Sequence, residues 1–196
     1  MPKVASVPLP RFVVVDVETS GLSDRRDRIL QLGAVVIEAD GTVVEQWSTF
    51  VRLAWPLQHV GPTHIHGITR PMLRGAPRLS TALDQLAPLL DDAIFTAHNA
   101  QFDAGFIVRA AHRRNGFALG PQLCTLRMSR QLDPNRQMSH RLIDVAERYG
   151  VDLAAPHDAL ADATATAAIV PHLLAAHHVV EPEQLAPFFV PPSRRQ

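Results

Sequence analysis

Apolar residues run unbroken through Phe12-Val13-Val14-Val15, and the pattern then breaks at Asp16, Glu18 and Gly21. A β-branched run that ends in charge predicts a central strand, here Arg11 to Val17, delivering its last side chains to one end of a sheet. Two further strand-like runs follow at Ile29 to Ile37 and Val43 to Leu53, with Asp40-Gly41 between them. An Asp-Gly pair between β-rich runs is a strong hairpin signal, because such turns need residues that tolerate positive φ. The sheet therefore opens with antiparallel pairing. From Ala54 to Pro77, proline, glycine and histidine break every period, which predicts loop with short helical turns.

Leu79, Leu83, Leu86, Leu89 and Leu90 recur at helical spacing and predict a helix with Pro88 near its end. Ala93 to Ala97 suits a fourth strand, and Phe102, Phe106, Ile107, Ala110 and Ala111 suit the helix after it. Helices are also predicted at Gln122 to Leu132 and at Ser139 to Tyr149, the latter closed by Gly150. A last helix covers about Asp158 to Ala176, with Pro171 expected to kink or interrupt it. Residues 1–10 form an N-terminal arm, 11–177 one domain, and 178–196 a proline-rich tail or docking strap onto which no structure is forced.

Composition narrows this picture. At 196 residues, with 46% hydrophobic and 19% charged, the chain has enough apolar content for one well-buried domain. A formal charge of +0 argues against coating duplex nucleic acid by net field, but leaves room for a local basic groove. The single cysteine, Cys124, excludes an internal disulfide or a multi-cysteine zinc site and reads as a small buried hydrophobe in a reducing compartment. No stretch approaching the ~18 apolar residues of a membrane span is apparent, so the expectation is a cytoplasmic protein with no membrane partner.

Candidate chemistry sits in three places. Asp16 and Glu18, two apart on a strand, leave the same face and suit a shared metal. The following Thr19-Ser20-Gly21 offers a hydroxyl and a tight turn able to receive a terminal sugar and phosphate. Read alone, the pair is equally an ordinary strand-end feature. Asp103, in His98-Asn99-Ala100-Gln101-Phe102-Asp103, falls in the first turn of its helix, where the dipole favours an acid in any case. Asn99 can cap that helix, Phe102 is core or a stacking platform for a base, and His98 is a strand-end histidine behind the site. In His157-Asp158-Ala159-Leu160-Ala161-Asp162, a spacing of five residues puts the histidine and the last acid on different faces of a continuous helix. His157 therefore belongs to the preceding loop, where a mobile imidazole can approach an attacking water while Asp162 holds a metal. Four acids and one histidine in this order point to hydrolysis by two metal ions. An aspartate-nucleophile phosphatase would want a second Asp where Glu18 stands. Arg25, Arg26 and Arg28 read as a solvated face, and Arg109, Arg113 and Arg114 as a helix face of which some members touch phosphates.

Taken together, Asp16-Val17-Glu18-Thr19-Ser20-Gly21-Leu22, His98 to Asp103 and His157 to Asp162 resemble the motifs of the 3′–5′ exonucleases of the DEDDh class. That class includes the proofreading subunits of bacterial replicative polymerases. Ile65-His66-Gly67-Ile68-Thr69 and Ala76-Pro77 resemble the family's linking segment. Gln31, where an acid is common, and Cys124-Thr125, where Asp-Thr is frequent, depart from it. The resemblance implies a ribonuclease H-like α/β fold, a mixed five-stranded sheet flanked by helices, with a short fifth strand between Phe117 and Thr125. It also implies two divalent cations, Mg²⁺ or Mn²⁺, held by Asp16, Glu18, Asp103 and Asp162, with His157 as general base. Thr19 would read the 3′-OH, Leu22 would wedge against the last bases, and Phe102, with His98 and Asn99 beside it, would meet the sugar or base. The implied substrate is the 3′ end of single-stranded DNA, with a DNA polymerase as a partner in proofreading. RNA 3′-end trimming and a non-catalytic module binding nucleic acid or a polymerase are the competing readings.

Overall fold

The computed structural model describes residues 8–55, 58–111, 119–153 and 155–191. Arg113, Arg114, Arg194, Arg195 and the arm up to residue 7 lie outside them. In chain order the elements are β1 (Arg11–Thr19), β2 (Ile29–Ile37), β3 (Val43–Phe50), α1 (Thr63–His66), α2 (Leu79–Leu86), β4 (Ala93–Ala97), α3 (Ala100–Ala111), β5 (Gln122–Cys124), α4 (Thr125–Gln131), α5 (Leu142–Arg148) and α6 (Ala159–Ala176). Short 3₁₀ turns cover Arg70–Leu73, Ala87–Leu90 and Pro182–Phe188. The strands form a single sheet in the order β3-β2-β1-β4-β5, antiparallel from β1 to β3 and parallel from β1 to β5.

The apolar run of β1 lies at the centre of this sheet and is buried on both faces. Val13, Val15 and Val17 join Leu32, Ala34 and Val36 of β2 beneath α2 and α3. Phe12 and Val14 join Val35 and Ile37 beneath α4, α5 and α6. Full burial of each such side chain stabilises the fold by about 1.5–3 kcal/mol. The strand alternation also decides where the acids go. Asp16 pairs with Gly33 and Glu18 with Gln31, so all four share the α6 face at the end of the sheet.

The β2–β3 hairpin turns at Asp40-Gly41 as the sequence suggests. Gly41 alone takes the positive φ, at 91°, behind a turn closed by its N–H to the Glu38 carbonyl at 3.0 Å. β3 is shorter than its pattern suggests. Val51 still donates to Leu30, but Arg52 N–H turns away to the Pro77 carbonyl. At 122–124 the structure corrects the helix predicted there. Leu123 and Cys124 pair with Thr96 and Ala97, and the helix begins at Thr125. α5 likewise starts at Leu142, three residues later than expected, after an extended Arg141. α6 runs through Pro171 without a break, because Ile169, Val170, Leu173 and Leu174 hold both halves against the sheet. By length and composition α6 is apolar enough to cross a membrane, contrary to the sequence estimate, but half of it is buried as the core helix of this domain.

The C-terminal segment is packed, where the sequence suggests a loose tail. Leu185 and Phe188 of the last 3₁₀ turn are buried against the α6 face. Phe189 bridges to Leu123, and Val190 N–H donates to the Gln122 carbonyl at 2.9 Å. These contacts cover the edge strand β5. Residues 182–188 are thus committed to this chain's own core and are not a free strap.

The first turn of α6 lies directly on β2 because residue 33 is glycine. A Cβ there would run into the carbonyl of Ala159 and come within 2.6 Å of the Leu160 nitrogen. Gly33→Ala should therefore push the start of α6 off the sheet and cost about 1–3 kcal/mol, as overpacking does. Urea unfolding measures the cost, and an unchanged midpoint would show that the contact has slack.

Candidate active site

The structure brings four acids together from three elements. Asp16 and Glu18 stand near the end of β1, Asp103 in the first turn of α3 and Asp162 in the first turn of α6. β1 pairs with β4 only as far as Val14, then runs on to Thr19 paired with β2 alone. In the fork that opens there, the Asp103 carboxylate takes the place of a ladder partner, accepting the Val17 N–H at 3.2 Å. Asp162 accepts the His157 N–H, also at 3.2 Å, while its Oδ1 is buried with no hydrogen-bond partner. Ligand atoms of Glu18, His157 and Asp162 lie within 4.8 Å of one another.

Asp158 caps α6 through its side chain, accepting from Leu160 and Ala161 N–H, both at 3.1 Å. Gln31 fastens this cap to the sheet. Its Nε2 donates to Asp158 Oδ2 at 2.8 Å, and its Oε1 accepts the Ala159 N–H at 3.4 Å. In the sequence Gln31 stands out only as a departure from the family pattern, and Gly33 not at all. A lone glycine within a buried strand was the available signal for close approach. Both positions set where Asp162 stands relative to Asp16.

The electrostatics follow from crowding. Burial, then the charges of Asp103, Asp162, Glu18 and Asp158, push Asp16 well above the usual carboxylate range. Burial, then Asp162, Asp103 and Asp158, push Glu18 up to about 8. Burial raises Asp103 to about 7, against the lowering effect of its backbone hydrogen bonds. Burial also raises Asp162, opposed by the nearby His157. Four acids that resist ionising together, one with a buried oxygen left bare, fit a hard divalent cation bound through oxygen.

The remaining predicted residues take distinct places. Thr19 is buried and donates its hydroxyl to the Gly21 carbonyl at 2.6 Å. Leu22, in the next turn, is 88% exposed. Phe102 is half-buried, its ring centroid 5.0 Å from that of Phe106. Asn99 is exposed at φ 70° and supports α3 through its carbonyl, which accepts from Phe102, rather than through its side chain. His98 lies behind the site. Thr125 Oγ1 and the His140 carbonyl, each at 2.9 Å, engage its two ring nitrogens, and burial depresses its pKa. The ring joins the end of β4 to α4 and to the loop before α5. His157 sits on an exposed turn at φ 66°.

This sheet order, with acids gathered where the central strand outruns its parallel neighbour, defines a ribonuclease H-like nuclease fold. A family model described as Exonuclease, of the RNase T group, matches residues 13–170, and the chain belongs to that family. Its class is that of the 3′–5′ exonucleases, which are phosphodiester hydrolases dependent on divalent metal. The chain is 35% identical over 165 residues to the PolC-type DNA polymerase III of Halalkalibacterium halodurans, covering 83% of this chain. It is 38% identical over 164 residues to that of Staphylococcus haemolyticus, covering 81% of this chain. The match spans only 11% of the length of either polymerase. Among solved structures, Exonuclease X in complex with 5′ overhanging duplex DNA superposes with a TM-score of 0.68 at 25% identity, over 89% of this chain and 97% of that one. E. coli Exonuclease I with a dT13 oligonucleotide superposes with a TM-score of 0.71 at 19% identity, over 84% of this chain and 41% of that one, a likeness of fold.

The raised acids give a signed pH dependence. Glu18 at about 8 and Asp103 at about 7 lie above their unfolded values of roughly 4, so between these limits the folded state binds more protons. Without metal, stability should be greatest near pH 4 to 5 and fall as pH rises through 8. Added Mg²⁺ or Mn²⁺ at a hundredfold excess over its dissociation constant should return about 2.7 kcal/mol, roughly 5 to 11 °C in Tm. Calorimetry in EDTA from pH 5 to 8 reads the slope. A flat slope with no response to millimolar metal would mean that the acids do not share a site.

Proposed function

We propose that this chain removes nucleotides from the 3′ end of single-stranded DNA in replication or repair. In this reading Asp16, Glu18, Asp103 and Asp162 hold two divalent cations, Mg²⁺ or Mn²⁺, and His157 is the general base. The observation that carries it is the convergence of four mutually repelling acids around a bare, buried Asp162 Oδ1, with the His157 side chain beside them. Bound cations supply Lewis-acid polarisation of the phosphate and a more acidic attacking water.

The chain's own residues do the rest. Asp16 feels all three other acids and would help hold the cations. His157, exposed and tied through its N–H to Asp162, takes a proton on the solvent side and releases it to bulk water. The Thr19 hydroxyl hydrogen is committed to Gly21, leaving its oxygen to accept from a terminal 3′-OH. Leu22 offers a solvent-facing apolar wedge to the last bases, and the open side of Phe102 a surface for the sugar or base. Asn99 is exposed beside Asp103 and meets the strand, while His98 acts by fixing the floor of the site. Such contacts tolerate any base, so cleavage is largely independent of sequence. Similarity to PolC-type polymerases supports a polymerase as partner, and a nucleic-acid substrate with a free, buried Cys124 supports a cytoplasmic setting.

Digestion of a 5′-labelled single-stranded DNA tests this reading. With Mg²⁺ or Mn²⁺ the expected result is a ladder shortening from the 3′ end, absent in EDTA. Asp162→Asn should lower kcat roughly 10³-fold, the worth of several kcal/mol, while melting no lower than wild type without metal. His157→Ala should lower kcat by about 10²- to 10⁴-fold. A ladder on RNA alone would favour 3′-end trimming of RNA. No ladder on either would favour a non-catalytic binding module.

A further inference from the structure

A second feature at the same end of the sheet is unused by this chemistry. A cavity of about 720 Å³ lies between the chain leaving β3 and the start of α2, and four arginines, Arg52, Arg70, Arg74 and Arg78, line it together with Trp55 and Leu73. None of its described lining residues is acidic. The Arg70 guanidinium donates to the Gln58 carbonyl. Arg52, Arg74 and Arg78 are exposed and form no ion pair among the described residues. Trp55 is 71% exposed.

In a chain of formal charge +0, four like-charged side chains lining one cavity repel one another. Planar guanidinium forks match phosphate oxygens, and an exposed indole offers a face to any base. The cavity is also placed for a strand that ends at the acids. Phe50, the last residue of β3, pairs with Gln31, which pairs with Glu18. Two strand spacings separate Phe50 from Glu18, about 10 Å, and Arg52 follows Phe50 by two residues. On the inner side, Leu73 packs with Leu30 and Ile68, and Val60 joins the same cluster. The next residue, Gly61, lies directly against Ser20 of the motif that carries Asp16 and Glu18.

We propose that this cavity is an accessory nucleic-acid site. It holds the substrate strand some nucleotides inward of the scissile end, with phosphates on Arg52, Arg74 and Arg78 and a base stacked on Trp55. The inference rests on the exonuclease reading for the direction of the strand, but not for the chemistry of the cavity. It predicts that affinity grows with strand length while turnover at the acids does not.

The test compares a 15-nucleotide single-stranded DNA with the p-nitrophenyl ester of thymidine 5′-monophosphate, which is too short to reach the cavity from the acids. The double variant Arg74→Glu/Arg78→Glu should raise KM for the 15-mer about tenfold or more with kcat unchanged, and leave ester hydrolysis within about twofold of wild type. The slope of log affinity against log salt should fall by about 1.4 for two lost phosphate contacts. Trp55→Ala should raise KM for the 15-mer at least about fivefold. In a Trp47→Phe background and EDTA, Trp55 fluorescence should respond to the 15-mer far more tightly than to thymidine monophosphate or inorganic phosphate. An unchanged KM for the 15-mer would overturn the proposal, as would equal losses on both substrates. Binding of the mononucleotide as tight as that of the 15-mer would make the cavity a nucleotide pocket and overturn it too. If wild type hydrolyses neither substrate yet Trp55 responds to the 15-mer in EDTA, the exonuclease reading falls and the accessory site stands.

Discussion

Like charges must be held together against their own repulsion, and the architecture of this chain is arranged around that constraint. Burial raises all four acids above their usual range, and the charges of neighbouring acids add to it. A flexible scaffold would relax by letting them drift apart. Here each is fixed to an element whose opposite side is anchored in a core: β1 between both apolar layers, α3 in one and α6 in the other. The apolar layers thus stabilise the domain and also supply the rigidity against which the repulsion acts.

Two local devices complete the arrangement. The fork between β1 and β4 frees a strand N–H for Asp103, so an acid is positioned by the sheet's own backbone. Gly33 and Gln31, on the face of β2 that Asp16 and Glu18 share, lower and fasten the start of α6. Gln31 does so as a neutral amide, so the anchor adds no charge to a site that already carries an excess. His157 differs from the acids in kind. It sits on an exposed turn and is tied by its main chain alone, which suits a group that must exchange protons with water.

What the sequence revealed and what it hid divide along the length scale of each signal. The runs of β1 and β2 and the leucine spacing of α2 are long enough to carry a period, and they appear where expected. β5 is three residues long and merges into α4, so no period marks its start, and only the family resemblance implied a strand nearby. The C-terminal segment reads as tail because prolines break its pattern, yet Leu185 and Phe188 are enough to dock it. The acids were legible because each stands beside a strand end or a helix start. The positions of Gly33 and Gln31 acquire meaning only when α6 arrives from more than a hundred residues downstream. The arginine cavity was invisible for the same reason, since folding alone gathers residues 52, 70, 74 and 78.

The alternation of β1 between its two apolar layers bears on how the sheet assembles. Even-numbered residues face α6 and odd-numbered ones face α2 and α3, and Asp16 and Glu18 complete the even series. A slip of one residue in the β1–β2 register would turn both acids into the layer of Val15, Val17 and Leu32, where an ionised carboxylate has no partner. The valines fit either layer, so Phe12 is the apolar residue of β1 that most distinguishes them. The two acids therefore penalise that slip beyond whatever the apolar side chains of β1 contribute.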